Sequence, residues 1–557
     1  MEIQFSRSAA MAEITAESDA FLPERQLDCG GTEEELKAGS VGDGVAGFGE
    51  KVQVLSDEEK LSHLVRCLYW SHFLSRWGDR MWEFAVGLFM LQVWPDSLLL
   101  VAIYGLVETA SVATLGVVVG ELVDKWPRLR MVQLSLGIQN GSVAAAALGI
   151  VLLLLHPGTA PGGFGTFVML VVIVNAFGAT SALSGMAMDI VVERDWVVLI
   201  AEKQGEGFLT QINAAMRRID LSCKLLAPVA VGFMMSSVSM LSSAVLIAIW
   251  NVTSVWVEYW LLHHVYMAVP TLQQKSIVDP ASKSSRSRSL DESSTPGEVE
   301  LGILASGNIV QVEDNEEVRL LGGRVTPSRP QQSGIVEKLK HLPLVEGWAT
   351  YMHQEAMLAG LALALLYFTV LSFGSFMTAV LNWRGIPAYA LALARGVAAL
   401  FGILATVIYP VVHARLHTVR TGIWSIWIQC SLLSLCVVSI WIHNSRLASI
   451  LLISGVAASR LGLWMFDLSV TQLMQESVPE AERGVVGGVQ KSLQSLMDML
   501  TYVVGMVIVH PQDFGITICM SYGAVMGAAL LYSMHVYRVR GHLFHFDRFI
   551  RSSWYSR

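Results

Sequence analysis

Charge is what this sequence has least of. Only 15% of its 557 residues are Asp, Glu, Lys or Arg, where a soluble domain carries about 25%. The shortage is also uneven. Of 84 charged residues, 19 lie in Met1–Lys60 and 20 in Thr271–Glu346, leaving 45 in the other 421 positions, about 11%. A chain that is 53% hydrophobic with mean hydropathy +0.51 cannot dress such a core in polar surface, so a soluble multidomain enzyme is excluded. Basic excess is lacking too: the net charge is −8 and the pI about 6.0, against a nucleic-acid partner. Cysteine is sparse. Cys29, Cys67, Cys223, Cys430, Cys436 and Cys519 include no Cys-x-x-Cys pair, which leaves apolar packing rather than a disulfide framework or thiolate metal site. There is no His-Glu-x-x-His, Gly-x-Ser-x-Gly or Walker-type sequence, so metalloprotease, serine hydrolase and ATP-driven pump lack their minimum parts, and no cofactor is expected.

What is present is apolar runs. Hydrocarbon about 30 Å thick needs roughly 20 apolar residues per helix. Six such runs lie near 66–93, 97–122, 131–155, 164–192, 219–237 and 240–265, and six near 355–381, 386–413, 421–443, 448–475, 485–509 and 513–537. Met1–Lys60 holds 14 acidic and 5 basic residues, unlike a secretory or transit peptide. The expected division is a disordered acidic tail (1–60), an N-terminal six-helix lobe (61–268), a linker (269–350), a C-terminal six-helix lobe (351–540) and a short tail (541–557).

Lys and Arg collect in one set of short loops: Lys125, Arg128 and Arg130; Arg194, Lys203, Arg217 and Arg218; Arg415 and Arg420; and Arg483. The opposite set has only Arg384 and Arg446. This bias places both termini and the linker in the cytoplasm. The expected fold is therefore an all-α polytopic membrane protein of about twelve transmembrane helices. Its two-lobe 6+6 layout is that of major-facilitator-type carriers, which rock about a midplane site. Gly120-Glu-Leu-Val-Asp124-Lys125-Trp-Pro-Arg128-Leu-Arg130 resembles the cytoplasmic Gly-x-x-x-Asp-Arg/Lys motif of that superfamily.

Ionisable groups inside spans are expensive and therefore functional candidates. Asp79 and Glu83 share one helix face at i,i+4, about 22 Å along a helix that enters near Leu64. Adjacent carboxylates repel unless a cation or proton lies between them, and oxygen ligands suit a divalent metal. The other reading is a structural cluster with Arg76 and Arg80. Lys224, in the fifth span, is a coupling candidate: it neutralises a carboxylate when the site is empty, or else snorkels to an interface. Arg460 and Asp467 lie two turns apart on one face and form a gate or a helix lock. Glu193-Arg194-Asp195 and Glu480–Arg483 occupy matching loops of the two halves. Arg194, Asp195, Glu482 and Arg483 are accordingly candidates for a cytoplasmic salt-bridge gate, or are plain solvated loops. The pairs His413/His417 and His542/His545 have helical ligand spacing but lie at or beyond the membrane edges, as interfacial anchors.

Leu68-Tyr-x-x-His72-Phe-Leu-Ser-Arg-Trp-Gly-Asp79-Arg-Met-Trp-x-Phe84 resembles the first span of ferroportins. Asp96–Gly105, Glu193–Val198, Met216–Asp220, Arg460–Gln472 and Glu482–Gln490 are similar to later stretches of that family. Ile219–Pro228 and Thr421–Ser425 look closest to the plant iron-regulated branch. The resemblance covers about 64–537. It implies export of ferrous iron from the cytosol across the plasma or vacuolar membrane, with cobalt, nickel, zinc or manganese as further cargo. It also implies that Asp79 is a metal ligand, that Glu83 stands where the family has a histidine, and that Lys224 stands where it has an asparagine. The second-half ligands of vertebrate members fall on Ser375 and Thr501, neither a strong ligand, so neither a second metal site nor peptide-hormone regulation is expected. The rival readings are an organic-cation carrier, which would use the same two acids, and a non-transporting scaffold or sensor.

Overall fold

The computed structural model describes residues 43–94, 99–155, 163–202, 204–205, 207–274, 343–373, 377, 380–381, 384–507 and 513–540. Met1–Leu61 and Ser62–Arg557 form separate units, and the helix bundle belongs to the second. Most of the expected tails and linker, and Ser375 with them, lie outside the described residues.

Every described element is a helix. In the first half these are α1 (Asp43–Val93), α2 (Leu99–Lys125), α3 (Arg128–Leu155), α4 (Gly163–Asp189), a π-helix (Ile190–Trp196), α5 (Val197–Ala201), α6 (Phe208–Ser237), α7 (Met240–Ala268) and α8 (Pro270–Gln273). The second half has α9 (Pro343–Met352), α10 (Met357–Leu365), α11 (Ala388–Val438), α12 (Ser445–Ser477), α13 (Arg483–Val507) and α14 (Phe514–Arg540). The ends carry local signals. Ser239 caps α7 by accepting the Ser242 N–H, and Asn444 caps α12 through Arg446 and Leu447. Pro387 precedes α11, and Gly207 precedes α6 at φ 93°, a left-handed conformation that glycine adopts without a Cβ clash.

Eight stretches are long and apolar enough to cross a bilayer. One of them, Ala390–Trp441, has 52 residues, twice the length needed, and breaks at His417 (φ 62°, ψ 167°), so it crosses twice. α1 and α13 carry embedded charges (Arg76, Asp79, Arg80 and Glu83; Lys491 and Asp498), which lowers their hydropathy, and the seventh span is interrupted, with α10 followed by turns after Leu365. With these three, the described helices are compatible with the expected layout of about twelve spans. Large apolar side chains such as Phe233, Trp256 and Trp260 face outward, as a lipid-facing belt requires.

Three boundaries move. The fifth span begins at Phe208, not near 219, which draws Arg217 and Arg218 into the bundle as helix residues ahead of Asp220. Arg217 pairs with Asp220 and Asp467 inside the protein, and Arg218 donates to Thr406 Oγ1 at 3.1 Å, a compensation that hydropathy cannot register. α9 begins at Pro343, within the stretch assigned to the linker, and its Tyr351 hydroxyl donates to Gln490 Oε1 at 2.6 Å. α1 likewise begins inside the expected tail.

The apolar core is divided. One cluster, including Phe89, Ile150, Val174 and Ile247, draws only on the first half; a second, including Leu452, Phe466, Ile518 and Tyr532, draws on the second half plus Val117. The halves meet where α2 crosses α13 and α6 lies along α11. The first crossing is tight because both helices carry a Gly-x-x-x-Gly pair. A Cβ on Gly120 would strike the Gly484 carbonyl, and one on Gly488 the Gly116 carbonyl; small residues let backbones approach this closely. Ser492 Oγ continues the seam, donating to Val112 O at 3.1 Å.

Candidate functional site

α1 carries two carboxylates, each with an arginine one turn earlier. Arg76 lies 3.6 Å from Asp79, and Arg80 donates to Glu83 at 2.5 Å. Neither arginine stops there. Arg76 also pairs with Asp189 at the end of α4, which lies 3.5 Å from Lys491 of α13. Arg80 also donates to Asp220 of α6 at 2.7 Å. Asp220 lies 3.7 Å from Arg217, which reaches Asp467 of α12 at 2.7 Å and stacks over Trp464. Two chains of alternating charge thus run from the acids of α1 to the second half. A charge in low dielectric is tolerable when paired in this way.

The carboxylates share a helix face, as their spacing predicts, but their counter-cations are arginines. Asp79 accepts a hydrogen bond from Gln139 Nε2 at 2.5 Å. Near it stand Glu258, 1% exposed with Oε2 unpartnered, and Asn251, whose Oδ1 abuts Gly78. Glu83 is more open, its side chain 57% accessible although it lies deep along α1. Glu108 of α2 and Lys224 of α6 are its electrostatic neighbours, and Asp498 of α13 faces both. Lys224 is exposed and makes no ion pair among the described residues, with Glu83 and Asp220 near enough to act on its charge. Among the described residues no three His, Cys, Asp or Glu side chains converge as a ready-made metal cage.

The charged loops do meet. Arg128, at the start of α3, holds Asp195 of the π-helix through Nε at 2.5 Å and Nη2 at 3.1 Å, and also pairs with Glu480 across the halves. Arg483 lies 3.6 Å from Asp195, and Glu482 accepts from Gln354 at 2.7 Å. Arg194 lines a small cavity with Met474, Gln475, Val478, Arg483 and Val486. Gln475 donates to the Glu193 carbonyl at 2.6 Å, and Asp124 accepts the Gly484 and Val485 N–H groups. The end of the bundle that carries these basic residues is therefore bonded shut. A π-helix widens the turn that presents Glu193–Asp195, a distortion common at functional positions.

Arg460 and Asp467 have different partners. Arg460 donates to the Leu371 carbonyl at 2.6 Å within the second half, whereas Asp467 takes Arg217 from the first. Thr501 Oγ1 only donates to the Tyr367 and Met497 carbonyls, both at 3.3 Å. His413 bonds Thr210, Thr418 and Gln472 at the seam, a structural role its edge position did not reveal. Sequence reasoning missed Arg217, Asp220, Lys491 and Gln139. The available signal was alternation of sign: Arg76, Asp79, Arg80 and Glu83 on one helix need counter-charges elsewhere, and Asp189, Asp220 and Lys491 lie in other apolar runs.

The sequence model of Ferroportin1 matches residues 62–525. Solute carrier family 40 member 1 of Oryza sativa subsp. japonica is 50% identical over 497 residues, 88% of this chain and 95% of its own. Solute carrier family 40 member 2 of Arabidopsis thaliana is 43% identical over 485 residues, covering 87% and 92%. Among solved structures, a bacterial homologue of the iron transporter ferroportin in an outward-facing state superposes with a TM-score of 0.68 at 21% identity, over 85% of this chain and 99% of that one. At that identity the likeness concerns the fold.

Proposed function

The chain belongs to the ferroportin family, and from that premise we propose that it is a secondary transporter that exports a divalent metal, ferrous iron first and cobalt or nickel as further cargo, from the cytosol by alternating access. Iron as first cargo is supported by the name its relatives carry. One observation carries the reading: Asp79 and Glu83, deep along α1, keep accessible side-chain surface (28% and 57%) and are countered by arginines, Arg76 and Arg80, that each have a second carboxylate to turn to. An incoming cation can displace an arginine from a carboxylate far more readily than it can open a packed core. Gln139, Asn251 and Glu258 stand by as further oxygen donors, and hard or borderline first-row ions accept such ligands.

In this reading the basic end is the cytoplasmic gate, closed by Arg128, Asp195, Glu480 and Arg483, and both termini are cytoplasmic. The 61–268 and 351–540 lobes rock about α1, with 269–350 as the link between them, in the plasma or the vacuolar membrane. Lys224 couples the cycle to protons: a cation at Glu83 repels its ammonium and favours release of a proton. The chain acts as a carrier and not as an enzyme, and peptide-hormone control is not part of the reading.

The test is flux. Purified protein in proteoliposomes should move Fe2+ and Co2+ at neutral pH, and a tenfold excess of tetraethylammonium should leave that flux unchanged. Folded protein that moves neither ion would overturn the carrier reading. Strong competition by the organic cation would favour an organic-cation carrier that uses the same acids.

A further inference from the structure

Arg76 is under-satisfied. Its Nη2 bonds Asp189, its Nη1 stands 3.6 Å from Asp79, and its Nε is buried with no hydrogen-bond partner among the described residues. Beside it lies a small cavity, bounded by Ser71, His72, Ser75, Asp189, Val192 and Glu193, with room for about one water (roughly 10 Å³). The guanidinium thus has two carboxylates to choose between and space in which to turn. Asp189 has a choice as well, because Lys491 of the second half lies 3.5 Å from its other oxygen. The order Asp79–Arg76–Asp189–Lys491 links an acid of the proposed cargo site to a bond between the halves.

We propose that Arg76 is a tethered counter-cation that shields Asp79 while the site is empty. When a divalent ion displaces it, it turns wholly onto Asp189 and loosens that carboxylate from Lys491. Arg76 is then a positioning residue, and ion occupancy on α1 is read as a weakened inter-half bond. The alternation of sign fixes the direction. A cation at Asp79 repels Arg76; Arg76 on Asp189 satisfies that charge; a satisfied Asp189 holds Lys491 less. By reciprocity, anything that draws Arg76 toward Asp189 must strengthen ion binding at Asp79. The second chain has one more member, so its inter-half bond, Arg217–Asp467, tightens where Asp189–Lys491 loosens. The seam would then pivot rather than simply part.

This inference rests on the transport reading, and its test is separable from it. The Co2+ affinity of full-length purified protein is measured by calorimetry, with gel filtration reporting the fold. Arg76→Met removes the competitor and should tighten Co2+ binding. Lys491→Met leaves Asp189 to Arg76 alone and should also tighten it, whereas Asp189→Asn returns Arg76 to Asp79 and should weaken it. Each effect should reach about fivefold, the lower end of usual site-to-site coupling. The Lys491 and Asp189 effects should vanish in an Arg76→Met background, and Arg76→Lys, which keeps charge without the fork, should fall between. Weaker binding in all three single variants, or additive effects, would overturn the proposal, since a purely structural role predicts one or the other. If Arg76→Met does not fold, the opposite signs of Lys491→Met and Asp189→Asn decide alone. No Co2+ binding by the unmodified chain would overturn the transport reading, and this inference with it.

Discussion

Asp124, at the end of α2, accepts the backbone N–H of Gly484 at 2.8 Å across 360 residues of sequence. Its other oxygen takes the next N–H, that of Val485, at 2.7 Å. The first donors of a helix have no intrahelical partner and carry the positive end of its dipole, so a first-half carboxylate caps a second-half helix. If this end opens, Asp124 must leave those donors. Asp124→Ala is expected to cost the closed arrangement about 1 kcal/mol, a roughly fivefold population shift. A cysteine replacing the buried Val478, in a Cys519→Ser background, should be labelled correspondingly faster. Unchanged labelling would show that the cap does not hold this end closed.

The crossing of α2 and α13 leaves no room for a side chain. Gly488→Leu would push its Cβ into the Gly116 carbonyl, so the closed basic end should not form. Transport is expected to fall about tenfold or more, with a monodisperse elution profile retained, since the wedge lies at the seam and not in either half's own core. Wild-type flux from this variant would mean that the seam does not close during the cycle.

Most of the architecture was legible in the sequence because lipid imposes a simple rule: long apolar runs, short loops and a bias of basic residues. The rule fails where charges neutralise one another inside. Arg217 reads as a loop residue, yet it sits in the third turn of α6, because its counter-charge Asp467 sits in another helix, and Asp220, already within the expected span, is paired by Arg80. Asp79 and Glu83 were legible as an i,i+4 pair, but not the route from them to Lys491, which depends on which helices touch. Arg460 and Asp467 share one face in the sequence, but which neighbour each would meet, the Leu371 carbonyl for one and Arg217 for the other, was not legible there.

Thr501→Ala should leave Fe2+ flux within about twofold of wild type, because the hydroxyl is engaged only by two backbone carbonyls at 3.3 Å and is a weak ligand. A large loss would show that the second half coordinates cargo.

Lys224→Ala tests coupling. In proteoliposomes loaded with a pH-sensitive dye, metal flux through the wild type should drive protons the other way. The variant should still bind Co2+ while that proton signal disappears. Retained proton movement would exclude Lys224 as the coupling group.

The most direct measurement is uptake of radioactive Fe2+ by proteoliposomes that contain the wild type, Asp79→Asn, Asp79→Ala or Glu83→Ala, with matched insertion. If these carboxylates hold the cargo, each alanine variant should lose about tenfold or more, the equivalent of ~1.4 kcal/mol of barrier. Asp79→Asn, which keeps the shape but not the charge, should lose nearly as much as Asp79→Ala. Wild-type flux from both alanine variants would contradict the account and leave the α1 cluster a purely structural one.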